Sequence, residues 1–181
     1  DAAEAAGGRF LLRIEDIDSA RSRPEFEDAI FEDLAWLGLS WETPVRRQSE
    51  HLDVYQQALE TLSARSLIYP CFCSRREIRA EVAQAGAAPH GPGGALYPGT
   101  CRALSEEIRD QRIAAGDAYA LRLDVARAGT EAGPLIWREQ GRGDIAGDAA
   151  SYGDVVLARK ETPASYHLAV TLDDHLQGIT L

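Results

Sequence analysis

The chain has 181 residues, of which 45% are hydrophobic and 27% charged, and a formal net charge of −10. This composition excludes a disordered chain and leaves room for one core with an inserted module. The acidic balance argues against a broad basic nucleic-acid surface, no apolar run is long enough to span a bilayer, and the first residues lack the order of a secretory signal.

The cytoplasm is therefore the expected compartment, with no membrane partner, and any RNA contact must be local. Arg46 with Arg47, Arg75 with Arg76 and Arg79, and Arg102 with Arg109 and Arg112 offer local basic patches. Each group reads equally well as a solvated face. The chain has no methionine, so it cannot begin at an initiator residue, and a piece of a longer protein is expected. Residues 1–6 read as the end of a helix closed by Gly7 and Gly8.

Residues 9–21 form an apolar run that ends in Glu15, Asp16 and Asp18. Phe10, Leu12 and Ile14 alternate with Leu11, Arg13 and Glu15, which predicts a strand covered on both faces with chemistry at its carboxyl end. A plain strand leaving the core through a solvated acidic turn fits the charge pattern as well. Ser22 and Glu25 then have capping-box spacing around Pro24, which predicts a helix with Phe26, Ile30, Leu34 and Leu37 on its buried face, up to Gly38. Strand, turn and helix together make half of a parallel βαβ unit. A short apolar link follows at Leu39, Trp41 and Pro44. From Ser49 a second helix is expected to bury Leu52, Tyr55, Leu59 and Leu62.

In the middle third, Ser74 and Glu77 form a second capping box, and the Ala, Gly and Pro stretch 86–94 reads as a mobile loop. A helix is expected over 105–116. Alternation of Tyr119, Leu121, Leu123 and Val125 predicts a strand, and residues 134–137 are a candidate partner for it. The sheet is expected to resume with residues 154–159. No Walker loop, dinucleotide glycine fingerprint or internal repeat occurs.

Cys71, Cys73 and Cys101 are a poor disulfide framework, being odd in number, and a better metal site. Three thiolates leave a tetrahedral zinc in need of a fourth ligand. His90, as an imidazole, is one candidate. Three free thiols are the plainer alternative.

The words GGRFLLRIEDIDSAR at 7–21, LGLSWE at 37–42, RQSEHLDVY at 47–55, LIYPCFCSRREI at 67–78 and ASYHLAVTLDDHLQGITL at 164–181 closely resemble glutamyl-type class I aminoacyl-tRNA synthetases. The resemblance runs almost end to end. It implies an α/β, Rossmann-like class I synthetase catalytic domain with an inserted zinc-binding module. Residues 1–66 would belong to the catalytic domain, 67–150 to the inserted connective module, and 151–181 to the return into the catalytic domain. It also implies that Glu15 contacts the substrate ammonium and that Tyr166 packs against the substrate amino acid. A buried core tyrosine is the alternative for Tyr166. Arg13, Asp16, Asp18 and Arg21 match the family pattern and are expected to fix the turn, His167 to be structural or close to nucleotide, and Asp173 and Asp174 to shape a turn beneath the site.

The glutamyl-Q tRNA(Asp) synthetase branch carries a C-x-C then Y-x3-C signature, with zinc held by cysteines and tyrosine. On that resemblance the ligands are Cys71, Cys73, Tyr97 and Cys101, with Tyr97 preferred to His90. The segment between Cys73 and Tyr97 is longer than the signature implies. Val170 stands where discriminating glutamyl-tRNA synthetases often carry Asn, which points the same way. The implied partners are L-glutamate, ATP with magnesium, and tRNA(Asp) bearing queuosine; a monomer is expected, although the sequence itself gives no handle on oligomeric state. Neither a HIGH-like nor a KMSKS-like signature occurs, so the segment is expected to bind rather than to catalyse alone. A truncated glutamyl-tRNA synthetase and a non-catalytic RNA-binding relative are the other readings.

Overall fold

A computed structural model describes residues 2–84, 90–91, 94–159 and 162–180. Two compact units result, one made of 1–57 with 162–181 and the other of 58–161. The inserted segment expected over 67–150 falls inside the second.

The first unit begins with the helix Ala2–Ala5, which closes as expected: Gly7 has φ +63° and the Gly8 amide donates to the Ala3 carbonyl at 2.7 Å. The following run is extended, but only Arg13–Ile14 forms a strand, paired in parallel with Arg46–Arg47. Burial on both faces is not realised: on one face Ile14 is buried but Phe10 is 44% exposed, and on the other Glu15 is exposed. Phe10 is held instead by its carbonyl, which accepts from the Glu42 amide at 3.1 Å.

The helix Pro24–Trp36 starts on Pro as expected, but Arg23 is its N-cap and no side chain caps it. The Ser22 amide is used in the turn, donating to the Asp18 carbonyl at 2.9 Å, so the capping box does not form. None of the helix residues is buried; Phe31 stacks on Trp41 with ring centroids 5.7 Å apart. A 3-10 turn Gln48–His51 leads into the helix Leu52–Ala64, which buries Tyr55 and Leu59 but leaves Leu52 exposed. Residues 162–180 return the chain to this unit through the helix Tyr166–Gln177. Its N-cap Ser165 accepts from the Leu168 amide, and left-handed Gly178 ends it.

The second unit is built on a three-stranded antiparallel sheet. Ala120–Leu123 lies between Ile68–Cys71 and Val156–Arg159. The run 154–159 is therefore a strand of this sheet, not of the parallel pair. Ser74 and Glu77 form the expected reciprocal box at the start of Arg75–Gln84, at 2.7 and 3.2 Å. The helix Glu106–Ala114 is capped by Ser105, within the expected span. Val125 does not continue its strand, because Asp124 caps a new helix, Val125–Ala132. Residues 134–137 do not pair with Ala120–Leu123 either. Leu135–Glu139 forms its own hairpin with Gly143–Gly147, turning at Gly141 and Gly143, both with positive φ. Within the stretch 86–94, His90–Gly91 pairs with Gly94–Ala95. The remainder of that stretch, and the His90 side chain, lie outside the described residues.

Candidate substrate site and metal centre

Glu15 follows the strand Arg13–Ile14 directly, at its carboxyl end, with a side chain 40% exposed. Arg13, largely buried, reaches back to it with Nη2 at 3.5 Å from Oε1. The rest of that guanidinium engages the last turns of the helix Tyr166–Gln177. Nη1 donates to Asp174 Oδ1 at 2.8 Å and to Gln177 Oε1 at 3.0 Å, and Nε lies 3.9 Å from Asp173 Oδ2. Burial works against the Arg13 charge, yet the hydrogen bond and charge of Asp174, with Asp173 and Glu15, hold its pKa above the ordinary value.

Asp173 is fully buried and accepts from Arg46 Nε at 2.7 Å, Gln48 Nε2 at 2.9 Å and the Tyr55 hydroxyl at 2.9 Å. The expectation that Asp173 and Asp174 shape a turn is corrected: both lie within the helix Tyr166–Gln177. Sequence reasoning did not identify Asp173 as a hub. A signal was present, since it falls four residues after buried Ala169, putting a carboxylate on the apolar helix face.

Around Glu15 the turn is fixed by charged contacts of the expected kind. Asp16 accepts from the Ser49 amide at 2.9 Å and from its hydroxyl at 2.5 Å, and Asp18 pairs with Arg21 at 3.1 Å. Arg47 pairs with Glu27.

Tyr166 is the first residue of its helix and is 60% exposed, so it is not a core tyrosine. Its ring meets that of His167 edge to face, with centroids 6.0 Å apart. Both side chains are exposed. Glu15 and Tyr166 thus belong to one unit, on elements joined by the Arg13–Asp174 bond.

In the second unit, the strand Ile68–Cys71 and the 3-10 turn Thr100–Ala103 bring three cysteines together. The sulfurs of Cys71, Cys73 and Cys101 all lie within 4.8 Å of one another, with Cys73 and Cys101 at 3.4 Å. The Tyr97 hydroxyl completes the group, 3.4 Å from Cys71 Sγ and 3.7 Å from Cys73 Sγ. Left-handed Gly99, φ +86°, makes the turn that places Cys101 four residues beyond Tyr97. The Cys101 amide donates to the Tyr97 oxygen at 2.8 Å, and the Phe72 amide to Cys101 Sγ at 3.4 Å.

Such a donor set fits a tetrahedral thiophilic cation, for which bonds of about 2.3 Å require sulfurs about 3.8 Å apart. Burial pushes the Cys73 thiol up to about 12, aided by Cys101. Burial likewise raises the Tyr97 phenol. At Cys101 burial is outweighed by hydrogen bonds from Tyr97 and the Phe72 amide, and its thiol sits below the ordinary value. A divalent cation would supply the charge that lets the other groups ionise.

The family model described as tRNA synthetases class I (E and Q), catalytic domain, matches residues 2–181. A curated relative from Rhodobacter capsulatus, named glutamyl-Q tRNA(Asp) synthetase, is 48% identical over 99% of this chain and 66% of its own length. One of the same name from Symbiobacterium thermophilum is 41% identical over 98% of this chain and 55% of its own. The chain thus spans roughly half to two thirds of these relatives. Among solved structures, a glutamate tRNA ligase from Elizabethkingia meningosepticum, in complex with its amino acid, superposes with a TM-score of 0.73 at 27% identity. That match covers 99% of this chain and 37% of the ligase.

Proposed function

Because this chain belongs to the family of class I tRNA synthetase (E and Q) catalytic domains, we propose that its intact protein activates L-glutamate with ATP and transfers it to the queuosine base of tRNA(Asp). The observation that carries the choice of acceptor is the cluster of Cys71, Cys73, Cys101 and Tyr97. It matches the zinc signature of the glutamyl-Q branch, and Val170 supports the same branch.

In the first step a glutamate carboxylate oxygen attacks the α-phosphorus of ATP, and pyrophosphate leaves. In the second, a queuosine hydroxyl attacks the acyl carbon of glutamyl-adenylate, and AMP leaves. No protein nucleophile is needed, so the work of the chain is positioning and charge. Glu15 holds the substrate ammonium through a charge-assisted hydrogen bond. Two guanidiniums, Arg13 and Arg46, face three carboxylates, Glu15, Asp173 and Asp174. The excess is one negative charge, which suits a cation. Tyr166 lays its ring and hydroxyl against the amino acid.

Zinc, held by Cys71, Cys73, Cys101 and Tyr97, supplies a structural cross-link for the inserted module. Tyr97 as fourth ligand is supported by its distances to the thiols and by the Cys101 amide on its oxygen, a donor that favours phenolate. ATP is bound with magnesium, in the cytoplasm.

The direct test is to incubate the intact protein with labelled glutamate, ATP and each tRNA, with and without queuosine. Label on queuosine-bearing tRNA(Asp), stable to removal of the terminal adenosine, is expected. Label on the terminal adenosine of tRNA(Glu) would replace this reading with that of an ordinary glutamate–tRNA ligase, the activity named for the structural neighbour. Absence of glutamate-dependent ATP–pyrophosphate exchange would leave a non-catalytic relative.

A further inference from the structure

Arg13 stands between the two elements that carry the proposed substrate contacts. One end of its guanidinium faces Glu15, and the other is bound to Asp174 and Gln177 on the helix that begins with Tyr166. Among the described residues, Arg13 is the one ion-pair partner of the Glu15 carboxylate. An arginine has many rotamers in reach and loses them only when several partners hold its planar fork. Here Asp174 and Gln177 fix Nη1, and Asp173 faces Nε, so Nη2 is left at one place, beside Glu15 Oε1. Oε2 of Glu15 remains for the substrate.

We propose that Asp174 is a positioning residue for glutamate recognition, acting through Arg13 to hold the Glu15 carboxylate at the carboxyl end of its strand. In this role Asp174 is assigned no contact of its own with substrate or nucleotide. This rests on the assignment of Glu15 to the glutamate ammonium. Asp174 is 43% exposed at its side chain, and Gln177 and Asp173 still face Arg13 when Asp174 is replaced, so Asp174→Asn weakens the anchor without leaving the guanidinium unpartnered. Asp173 is the worse probe, since it is fully buried and holds three other side chains.

The experiment is glutamate-dependent ATP–pyrophosphate exchange by the intact protein, comparing wild type, Asp174→Asn, Asp174→Glu, Glu15→Gln and the double variant Asp174→Asn with Glu15→Gln. Asp174→Asn is expected to raise the glutamate KM about tenfold, less than the hundredfold of a full ångström's misplacement. The ATP KM should be unchanged, and Asp174→Glu should restore most of the loss. In the Glu15→Gln background, Asp174→Asn should cost nothing further, because its route of action is already cut. A merely structural role would give equal losses in both backgrounds, or a rise in the ATP KM alongside, and either result overturns the proposal. An unchanged glutamate KM in Asp174→Asn overturns it too, while leaving the glutamate reading intact. Wild type without glutamate-dependent exchange overturns both.

Discussion

The Tyr55 hydroxyl donates to both oxygens of the Asp173 carboxylate, at 3.1 and 2.9 Å, across 118 residues of sequence. That bond ties the helix Leu52–Ala64 to the helix Tyr166–Gln177 at a point with no access to solvent for either side chain. The two partners are not equivalent. Tyr55→Phe deletes one hydrogen bond among several to Asp173 and should cost about 0.5 to 1.5 kcal/mol. Asp173→Ala leaves Arg46 and Arg13 without their shared buried counter-charge and should cost about 3 to 5 kcal/mol. Chemical denaturation of the intact protein would measure both, and equal costs would remove Asp173 from its central place.

The same pair sets a titration. Burial, then the hydrogen bond and charge of Asp173, push the Tyr55 phenol up to about 12. A folded-state value raised above the unfolded one, about 10 for tyrosine, means that this stabilisation is complete below about pH 10 and is lost as pH rises toward 12. In an ultraviolet titration, subtracting the curve of Tyr55→Phe from that of wild type should isolate one phenol ionising late. Ionisation of that phenol near pH 10 would show the bond to Asp173 absent in solution.

Which features were legible follows from the range of the forces that make them. The Ser74 and Glu77 box is local, three residues apart, and formed as the spacing implied. The Ser22 and Glu25 box had the same spacing and failed, because the turn begun at Asp18 took the Ser22 amide first. Alternation through Val125 concealed a helix start; Asp124 was its signal, a capping residue just before it. The hairpin of Leu135–Glu139 with Gly143–Gly147 is signalled by Gly141 and Gly143 at its turn, whereas the alternation over 119–125 makes residues 134–137 a candidate partner for that strand instead. The cysteines could be grouped from spacing and resemblance. The partners of Asp173 could not, since Arg46, Gln48 and Tyr55 lie 127, 125 and 118 residues away and only the folded chain brings them to one carboxylate.

Glu15→Gln keeps the shape of the side chain and removes its charge. A hydrogen bond to a charged group is worth about 1.5 to 3 kcal/mol, so glutamate activation in the intact protein should fall about tenfold to a hundredfold, with ATP binding little changed. Tyr166→Phe deletes only a hydroxyl from an exposed ring and should cost less. Steady-state exchange kinetics at varied glutamate would check both. Unchanged activation in Glu15→Gln, with circular dichroism as in wild type, would take Glu15 out of the site.

Metal removal should act on one unit and spare the other. Cys71, Cys73, Tyr97 and Cys101 all lie in the unit 58–161, whereas the Asp173 network lies wholly in the unit made of 1–57 with 162–181. Structural zinc contributes its binding free energy to the folding of the segment that supplies its ligands. A chelator should therefore accelerate amide exchange in Ile68–Cys71 and Thr100–Ala103, leaving exchange in Tyr166–Gln177 unchanged. Because thiols and phenol must lose protons to bind, and burial holds the Cys73 thiol up at about 12 without metal, zinc affinity should weaken as pH falls. Tyr97→Phe should bind zinc about tenfold or more weakly, since even partners outside the ligand shell are worth that much. Full zinc affinity in Tyr97→Phe, with loss of it in His90→Ala, would transfer the fourth position to the histidine.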